Sequence, residues 1–164
     1  MAQVASVATG KVAALMQGTP GLAGAVAAIS ALSSELLPVV GPAQIVVQNV
    51  TPEIAEKATV AKYPSIHIYC ERVVNQLREK FRTFSGQALM AVEVRVSRDR
   101  LGQLETLMQL YVEAVTRVLD MNRGDWGGGI LFGGGYEVNY GPVKHGGKNL
   151  LQTAKITFAL EASL

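Results

Sequence analysis

The sequence predicts an α+β fold, with a small mixed, mainly antiparallel sheet of four or five strands, one long amphipathic helix packed across it, and N-terminal helices. Apolar residues recur at spacings of three and four between Leu101 and Met121, which predicts a helix with one buried stripe. Alternation of apolar and polar residues is typical of strands with one buried face. It occurs at 65–71, 90–97 and 154–162, and a further strand is predicted at 130–140.

The first part of the chain is rich in alanine and almost free of charge. Residues 2–16 and 22–36 predict two helices, separated by a Gly-Thr-Pro-Gly turn. The uncharged stretch 12–34 is not expected to span a membrane, because it holds glycine, proline and polar side chains and its alanines are only weakly apolar. The β-branched residues of 44–50 then predict a short strand, and Thr51-Pro52-Glu53 predicts a brief helical turn.

The first long strand predicts a buried and a polar face. Ile66, Ile68 and Cys70 share the buried face, whereas His67 lies on the polar face and is expected at the surface. Between this strand and the next, residues 76–85 form either an extended hairpin arm or a short helix. The two strands are therefore expected to pair, with the long helix lying across one face of their sheet.

Length and charge limit the classes of function. The 164 residues suit a single domain, 1–164, with a helical part at 1–37 and the sheet and long helix at 44–164. A formal net charge of +2 is too small for the field of the whole protein to attract nucleic acid or a membrane surface. Any function that depends on charge must therefore come from a local patch.

No group of residues predicts catalysis. Cys70 is the only cysteine, and neither His67 nor His145 has a triad or metal-ligand signature around it. The glycine-rich run 126–135 follows a helix and precedes a strand, the reverse of a phosphate-binding loop. It is interpreted as a helix stop and a flexible or closely packed strand edge. No catalytic, cofactor-binding or metal-ligating residue is predicted, and the protein is not expected to be an enzyme.

Basic residues concentrate in the middle of the chain, where 62–100 holds eight lysines and arginines against four acids. Two interpretations are open for the basic and aromatic residues there: contact with a nucleic acid, or contact with a neighbouring subunit, which is favoured because arginine and aromatic residues are enriched at interfaces. The glycine-rich run is the second candidate contact. The predicted interface residues are Arg72, Arg78, Lys80, Phe81, Arg82, Phe84, Trp126 and Phe132.

The order of these elements resembles the tail terminator (tail completion) proteins of long-tailed bacteriophages. The resemblance covers most of the chain and lies in an N-terminal helix, the turn at Pro20-Gly21-Leu22, and a strand introduced by Tyr63-Pro64. It continues through a hairpin, a long amphipathic helix and two final strands. It is a similarity of pattern and includes no single diagnostic motif.

The resemblance implies a homohexameric ring that caps the tail tube, ends its polymerisation and offers a docking surface to the head. The implied partners are further copies of the chain, the tail tube protein, the sheath protein as an additional candidate, and a neck or connector protein on the head side. DNA would pass through the lumen without sequence-specific binding, no membrane or cofactor is involved, and the protein would reside in the virion after assembly in the host cytoplasm. Two alternatives stay open: a neck or head-tail connector subunit, and a small nucleic-acid-binding module that uses the basic arm at 78–84.

Overall fold

The computed structural model describes residues 3–58 and 62–164. These residues form four helices and one mixed sheet. The α+β class predicted from the sequence is confirmed. The helices are α1 (Val4–Gln17), α2 (Gly21–Leu32), α3 (Pro52–Ala58) and α4 (Leu101–Met121). The strands are β1 (Ile45–Val46), β2 (Ser65–Asn75), β3 (Ser85–Arg98), β4 (Gly124–Asp125), β5 (Ile130–Phe132), β6 (Glu137–Tyr140), β7 (Lys144–Gly146) and β8 (Asn149–Ser163).

Eight strands form the sheet, more than the four or five predicted. Their order is β1, β2, β3, β8, β5, β4, and both β6 and β7 also pair with β8. Among the described strands, only β1 and β2 run parallel. The count was wrong because 130–140 divides into β5 and β6, and because β4 and β7, of two and three residues, are too short to show a period.

The pairing of β3 with β8 forms the centre of the sheet. It runs without a break from Ser85 opposite Ser163 to Arg98 opposite Leu150. Because one register is kept throughout, the apolar residues that alternate along both strands fall on the same face. That face carries Val92 and Ile156 opposite each other, both fully buried.

Helix α4 lies across this apolar face. Its 21 residues span about 30 Å, and its bounds are those that the spacing of apolar residues predicted. Met108 and Val115 are among its fully buried side chains, whereas Leu101, placed on the same stripe by the sequence, is 62% exposed in the first turn. Burying such a stripe is the main source of stability for a helix of this kind.

The two N-terminal helices complete the layer, with α1 against β2 and α2 against α4. The second helix ends at Leu32, four residues before its predicted end. No single described helix is long and apolar enough to cross a membrane, although α1 and α2, bent by 41° at their junction, reach the threshold together by length and composition. The predicted strand 44–50 is reduced to β1, and the helical turn predicted at Thr51-Pro52-Glu53 is present as α3.

The second face of the sheet is partly covered, and this corrects the prediction for His67. The chain from β1 to α3 lies over it, so that His67 is buried and Arg95, also on the predicted polar face, is 1% exposed. The Arg95 guanidinium donates to Glu93 Oε1 at 2.9 Å and to the Val50 carbonyl. Alternation along a strand could not reveal this covering, because it comes from a segment distant in sequence.

Beyond the covered part, the second face presents a row of polar side chains. Glu93 and Lys155 are opposite each other on β3 and β8. The Tyr69 hydroxyl donates to Glu93 Oε2 at 3.0 Å, and Lys155 forms an ion pair with Glu71. The row holds two carboxylates, of Glu71 and Glu93, and the ammonium group of Lys155, so it has no excess of positive charge.

Burial of His67 makes folding sensitive to mild acid. Burial, followed by the charge of Arg95, lowers the pKa of His67 to about 4, below the ordinary value of 6.5 for histidine. The unfolded chain therefore binds a proton first as the pH falls. Stability is full above pH 6.5 and is lost between about 6.5 and 4, with a slope of up to about 1.4 kcal/mol per pH unit.

Urea unfolding of the wild type and of His67→Phe between pH 7 and pH 4.5 measures this slope. The variant is expected to lose most of the dependence above pH 5, because the group that titrates is gone. His145→Phe is the matched control, since His145 is exposed on β7. Equal slopes in the wild type and His67→Phe would show that another group carries the effect.

Candidate interaction surfaces

The loop between β2 and β3, residues 76–84, is here called the arm. The structure resolves the two predicted alternatives in favour of a hairpin. Arg78, Lys80 and Arg82 are exposed, and the Phe81 ring is completely exposed. Leu77 is 63% exposed beside them. With three basic residues against one acidic residue, the arm presents a cationic and apolar tip to solvent.

The base of the arm is fixed by one side chain. Asn75 Oδ1 accepts hydrogen bonds from the backbone N–H groups of Leu77 and Ser85, both at 3.1 Å, and its Nδ2 donates to the Thr83 carbonyl at 3.2 Å. Leu77 takes a positive φ of 47°, which is uncommon outside glycine. Both sides of the hairpin are therefore joined through Asn75.

Phe84, predicted as an interface residue, is not on this surface. Its side chain is fully buried in the core. Its backbone N–H donates to the Leu164 carbonyl at 3.0 Å and its carbonyl accepts from the Leu164 N–H at 2.8 Å, which continues the ladder of β3 and β8. The sequence pattern did not distinguish Phe84 from Phe81, because the two differ by a pairing that is distant in sequence. Phe84 pairs with Leu164, whereas Phe81 lies in the exposed loop.

Arg72 is exposed on β2, as an interface residue requires. It follows an irregularity in the pairing of β2 with β3 between Cys70 and Arg72. Because β1 pairs only with Ile66 and His67, this part of β2 is an outer edge of the sheet. The nearby Cys70 is half-buried, and burial raises the pKa of its thiol, which keeps it protonated near neutral pH.

The glycine-rich run 126–135 is built around inward-pointing aromatic rings. The ring centroids of Trp126 and Phe132 are 5.4 Å apart, as are those of Phe132 and Phe158. Phe132 is buried, so its prediction as an interface residue is wrong, and Trp126 is half-buried. Trp126 also ties α1 to this run, because its carbonyl accepts a hydrogen bond from Lys11 Nζ at 2.8 Å.

Gly129 shows why glycine is needed here. Its φ is +77°, and its carbonyl accepts from the Ser163 N–H at 2.9 Å. A Cβ at this position would lie 2.1 Å from the Ser163 carbonyl oxygen. The interpretation of the run as a closely packed strand edge is confirmed.

The arm and the glycine-rich run meet at one surface. Arg78 and Glu79 of the arm lie with Gly129 and Leu131 around a hollow of about 220 Å³. They were predicted as two separate contact patches, and the structure corrects this, because β5 and the start of β3 flank the same end of β8. We call this surface, formed by residues 76–84, Gly129 and Leu131, the arm end.

A second exposed surface lies at the other end of β3. Leu32, Leu36 and Leu101 are 83%, 88% and 62% exposed, and we call this group the apolar end. Leu36 and Gly102 border a small hollow there together with Arg98, the last residue of β3. Because β3 is 14 residues long, the two ends are roughly 45 Å apart. The sequence did not predict the apolar end, since Leu32 and Leu36 were assigned to one continuous packed helix.

The described residues hold no candidate metal site. In the described part of the chain, no group of three or more histidines, cysteines or carboxylates is placed to hold a metal ion. His145 is exposed, as predicted, and lies in β7 opposite Leu150 of β8. The chain matches no family model and no curated protein.

A matched pair of phenylalanines tests these assignments. Phe132→Ala is expected to reduce the free energy of unfolding by about 3–5 kcal/mol, because it leaves a cavity between two rings. Phe81→Ala should change it by less than about 0.5 kcal/mol, because the ring touches solvent only. Urea unfolding measures both values. A large loss in Phe81→Ala would show that the arm packs on its own subunit.

Proposed function

We propose that the protein joins copies of itself head to tail in a closed ring, and that the ring caps a phage tail tube as tail terminator proteins do. The observation that carries this proposal is the presence of two exposed surfaces of different chemistry at opposite ends of the sheet. A ring requires two different complementary patches on each subunit, whereas a twofold dimer uses one patch twice. The arm end and the apolar end meet that requirement.

The chemistry of the two ends supports direct contact between them. Phe81 and Leu77 offer apolar surface at a projecting tip, and Leu36 and Leu101 offer apolar surface beside a hollow. Burying apolar area favours association by about 25 cal/mol for each Å² removed from water. Arginines at the rim of the arm suit an interface, because they add directional hydrogen bonds around an apolar centre.

In the proposed role, the ring docks on the last layer of the tube and covers the edge to which further tube subunits would add. Polymerisation then stops, and the opposite face of the ring binds a neck or connector protein on the head side. The sheath protein is a further candidate partner. This role is structural, needs no cofactor and places the protein in the virion.

Passage of DNA through such a ring requires a lumen that does not hold it. The polar row of the second sheet face suits that requirement, because Glu71 and Glu93 accompany Lys155 there. Nonspecific binding of DNA depends on uncompensated lysine and arginine at the phosphates. We therefore propose that this face, rather than the cationic arm, lines the lumen.

Two single substitutions and their mixture test head-to-tail assembly. Phe81→Asp removes the arm contact and Leu36→Asp removes the apolar contact, so each variant alone should be monomeric. In an equimolar mixture, the intact arm of Leu36→Asp can still dock on the intact apolar end of Phe81→Asp. Native mass spectrometry should therefore show heterodimers and no closed ring, whereas the wild type should show hexamers.

The control is Glu113→Lys, which changes charge on the exposed side of α4. It should form rings like the wild type. Rings formed by either aspartate variant, or no heterodimer in the mixture, would contradict the assignment of the two ends. Twelvefold wild-type rings would favour the neck or connector alternative.

A separate assay tests the capping role. If that role is correct, adding wild-type rings to polymerising tube protein should fix the length of the tube.

The exposure of the arm favours one other candidate function, the binding of single-stranded nucleic acid. A free aromatic ring between Lys80 and Arg82 can stack on a base while the cations contact phosphates. This candidate requires no contact between subunits.

Salt dependence separates the two candidates. If the arm binds single-stranded DNA through Arg78, Lys80 and Arg82, the logarithm of the binding constant should fall with the logarithm of salt concentration with a slope of about −2. Fluorescence anisotropy of a labelled oligonucleotide measures it. The ring proposal predicts that Arg78→Glu, Lys80→Glu and Arg82→Glu together weaken assembly. If the triple variant loses DNA binding but still forms rings, the result would favour the binding of single-stranded nucleic acid.

A further inference from the structure

A hollow of about 430 Å³ lies on the second face of the sheet, under the segment that joins β1 to α3. Its floor is formed by His67 of β2 and Arg95 of β3. Its walls include the apolar side chains of Val46, Val50 and Ile54. This volume lies within the range of pockets that hold small ligands, and apolar walls around a few polar groups are typical of them.

Two polar atoms on the floor lack a partner among the described residues. They are Nδ1 of His67 and Nη1 of Arg95, whose residues are 4% and 1% exposed. The rest of the Arg95 guanidinium is occupied by Glu93 and the Val50 carbonyl. Buried polar groups are nearly always hydrogen-bonded, so these two atoms indicate that the hollow takes up a group that completes them.

The two atoms belong to neighbouring side chains. His67 is opposite Glu93 in the sheet, and Arg95 is two residues further along β3 on the same face. Diagonal neighbours of this kind have Cα atoms about 7–8 Å apart, within reach of one small polar group. A planar group bound between them would meet an N–H donor from Arg95 and a ring nitrogen from His67.

The protonation state of His67 determines whether Nδ1 donates or accepts a hydrogen bond. Burial and the charge of Arg95 hold the pKa of His67 at about 4, so the ring is neutral near pH 7. The His67 ring also forms a hydrogen bond with the Gln48 backbone, and this bond raises the pKa, as donation by a ring N–H does. Because a neutral imidazole has one N–H, the unpartnered Nδ1 is left as an acceptor. The floor of the hollow therefore offers one donor and one acceptor side by side.

The surrounding charges do not favour an anion. Arg95 and Lys62 border the hollow, but Glu93 is paired with Arg95 at 2.9 Å. Glu56 accepts the Tyr63 hydroxyl at 2.6 Å on the wall, and the charge of Glu53 also acts on Tyr63. Two cations against three carboxylates leave no excess positive charge for a carboxylate or phosphate ligand.

We propose that the hollow is a binding site for a neutral carboxamide, whose carbonyl accepts from Arg95 Nη1 and whose NH₂ donates to His67 Nδ1. The attached carbon chain lies against Val46, Val50 and Ile54. The carboxamide can belong to a small free molecule or to an asparagine or glutamine side chain of another polypeptide. The site does not depend on ring formation.

Titration with propionamide tests the site, with the full chain observed by NMR at the backbone N–H of Arg95, which every variant below retains. Saturable shifts are expected with propionamide. Propionate, which has the same shape but carries a charge and no N–H, should bind about tenfold more weakly, because it leaves the His67 acceptor unmet. Absence of saturation would show that the hollow takes up no amide, and equal binding of the two probes would show that the His67 acceptor is not used. Either result would overturn the proposal.

Two variants locate the binding. Ile54→Trp should fill the hollow from its exposed side and abolish binding, while Leu36→Trp, at the apolar end, should leave it unchanged. His67→Phe should weaken propionamide by about tenfold and remove the preference over propionate. Thermal unfolding of each variant checks that it folds. Unchanged binding in folded Ile54→Trp would place the ligand elsewhere and overturn the proposal.

A last comparison distinguishes the two sources of the carboxamide. The probe N-acetylglutamine methylamide presents a glutamine side chain with peptide groups on both sides. If it binds more tightly than propionamide, a polypeptide partner is the source. If it binds more weakly, the flanking peptide groups do not fit and a free small amide is the source. If neither probe binds, the proposed site itself is overturned.

Discussion

The pairing of β3 with β8 is the constraint on which the other features depend. Its single register gives the sheet one apolar face, which α4 covers, and one polar face. The same ladder continues past Ser85 to Phe84 and Leu164, so the end of the chain closes the core beneath the arm. Shifting the register by one residue would exchange the two faces and bury the polar row.

The length of this pairing also separates the two candidate contact surfaces. The arm lies before the first residue of β3, and the apolar end lies beyond its last residue. A rigid, fully paired strand between them keeps their separation and direction constant, because no hinge interrupts it. That property suits a subunit whose contacts must repeat around a closed ring.

Most of the fold could be predicted from local pattern. Helix α4 and the centres of β2, β3 and β8 have strong periods because each carries apolar residues on one face and mainly polar residues on the other. The failures share a cause. Segments distant in sequence cover His67, Arg95, Phe84 and Phe132, and the spacing of apolar residues within one element does not predict such covering. The arm was found because charge is visible in sequence, whereas the exposure of Leu36 depends on where α2 stops.

Asn75 has a consequence for the rate and strength of docking. Its three hydrogen bonds join both strands at the root of the arm, so the segment that carries Phe81 does not begin as a free chain. A partner that receives this segment restricts fewer backbone torsions than it would with an untethered loop. The side chain of one asparagine thus sets how much disorder must be lost when the tip is engaged.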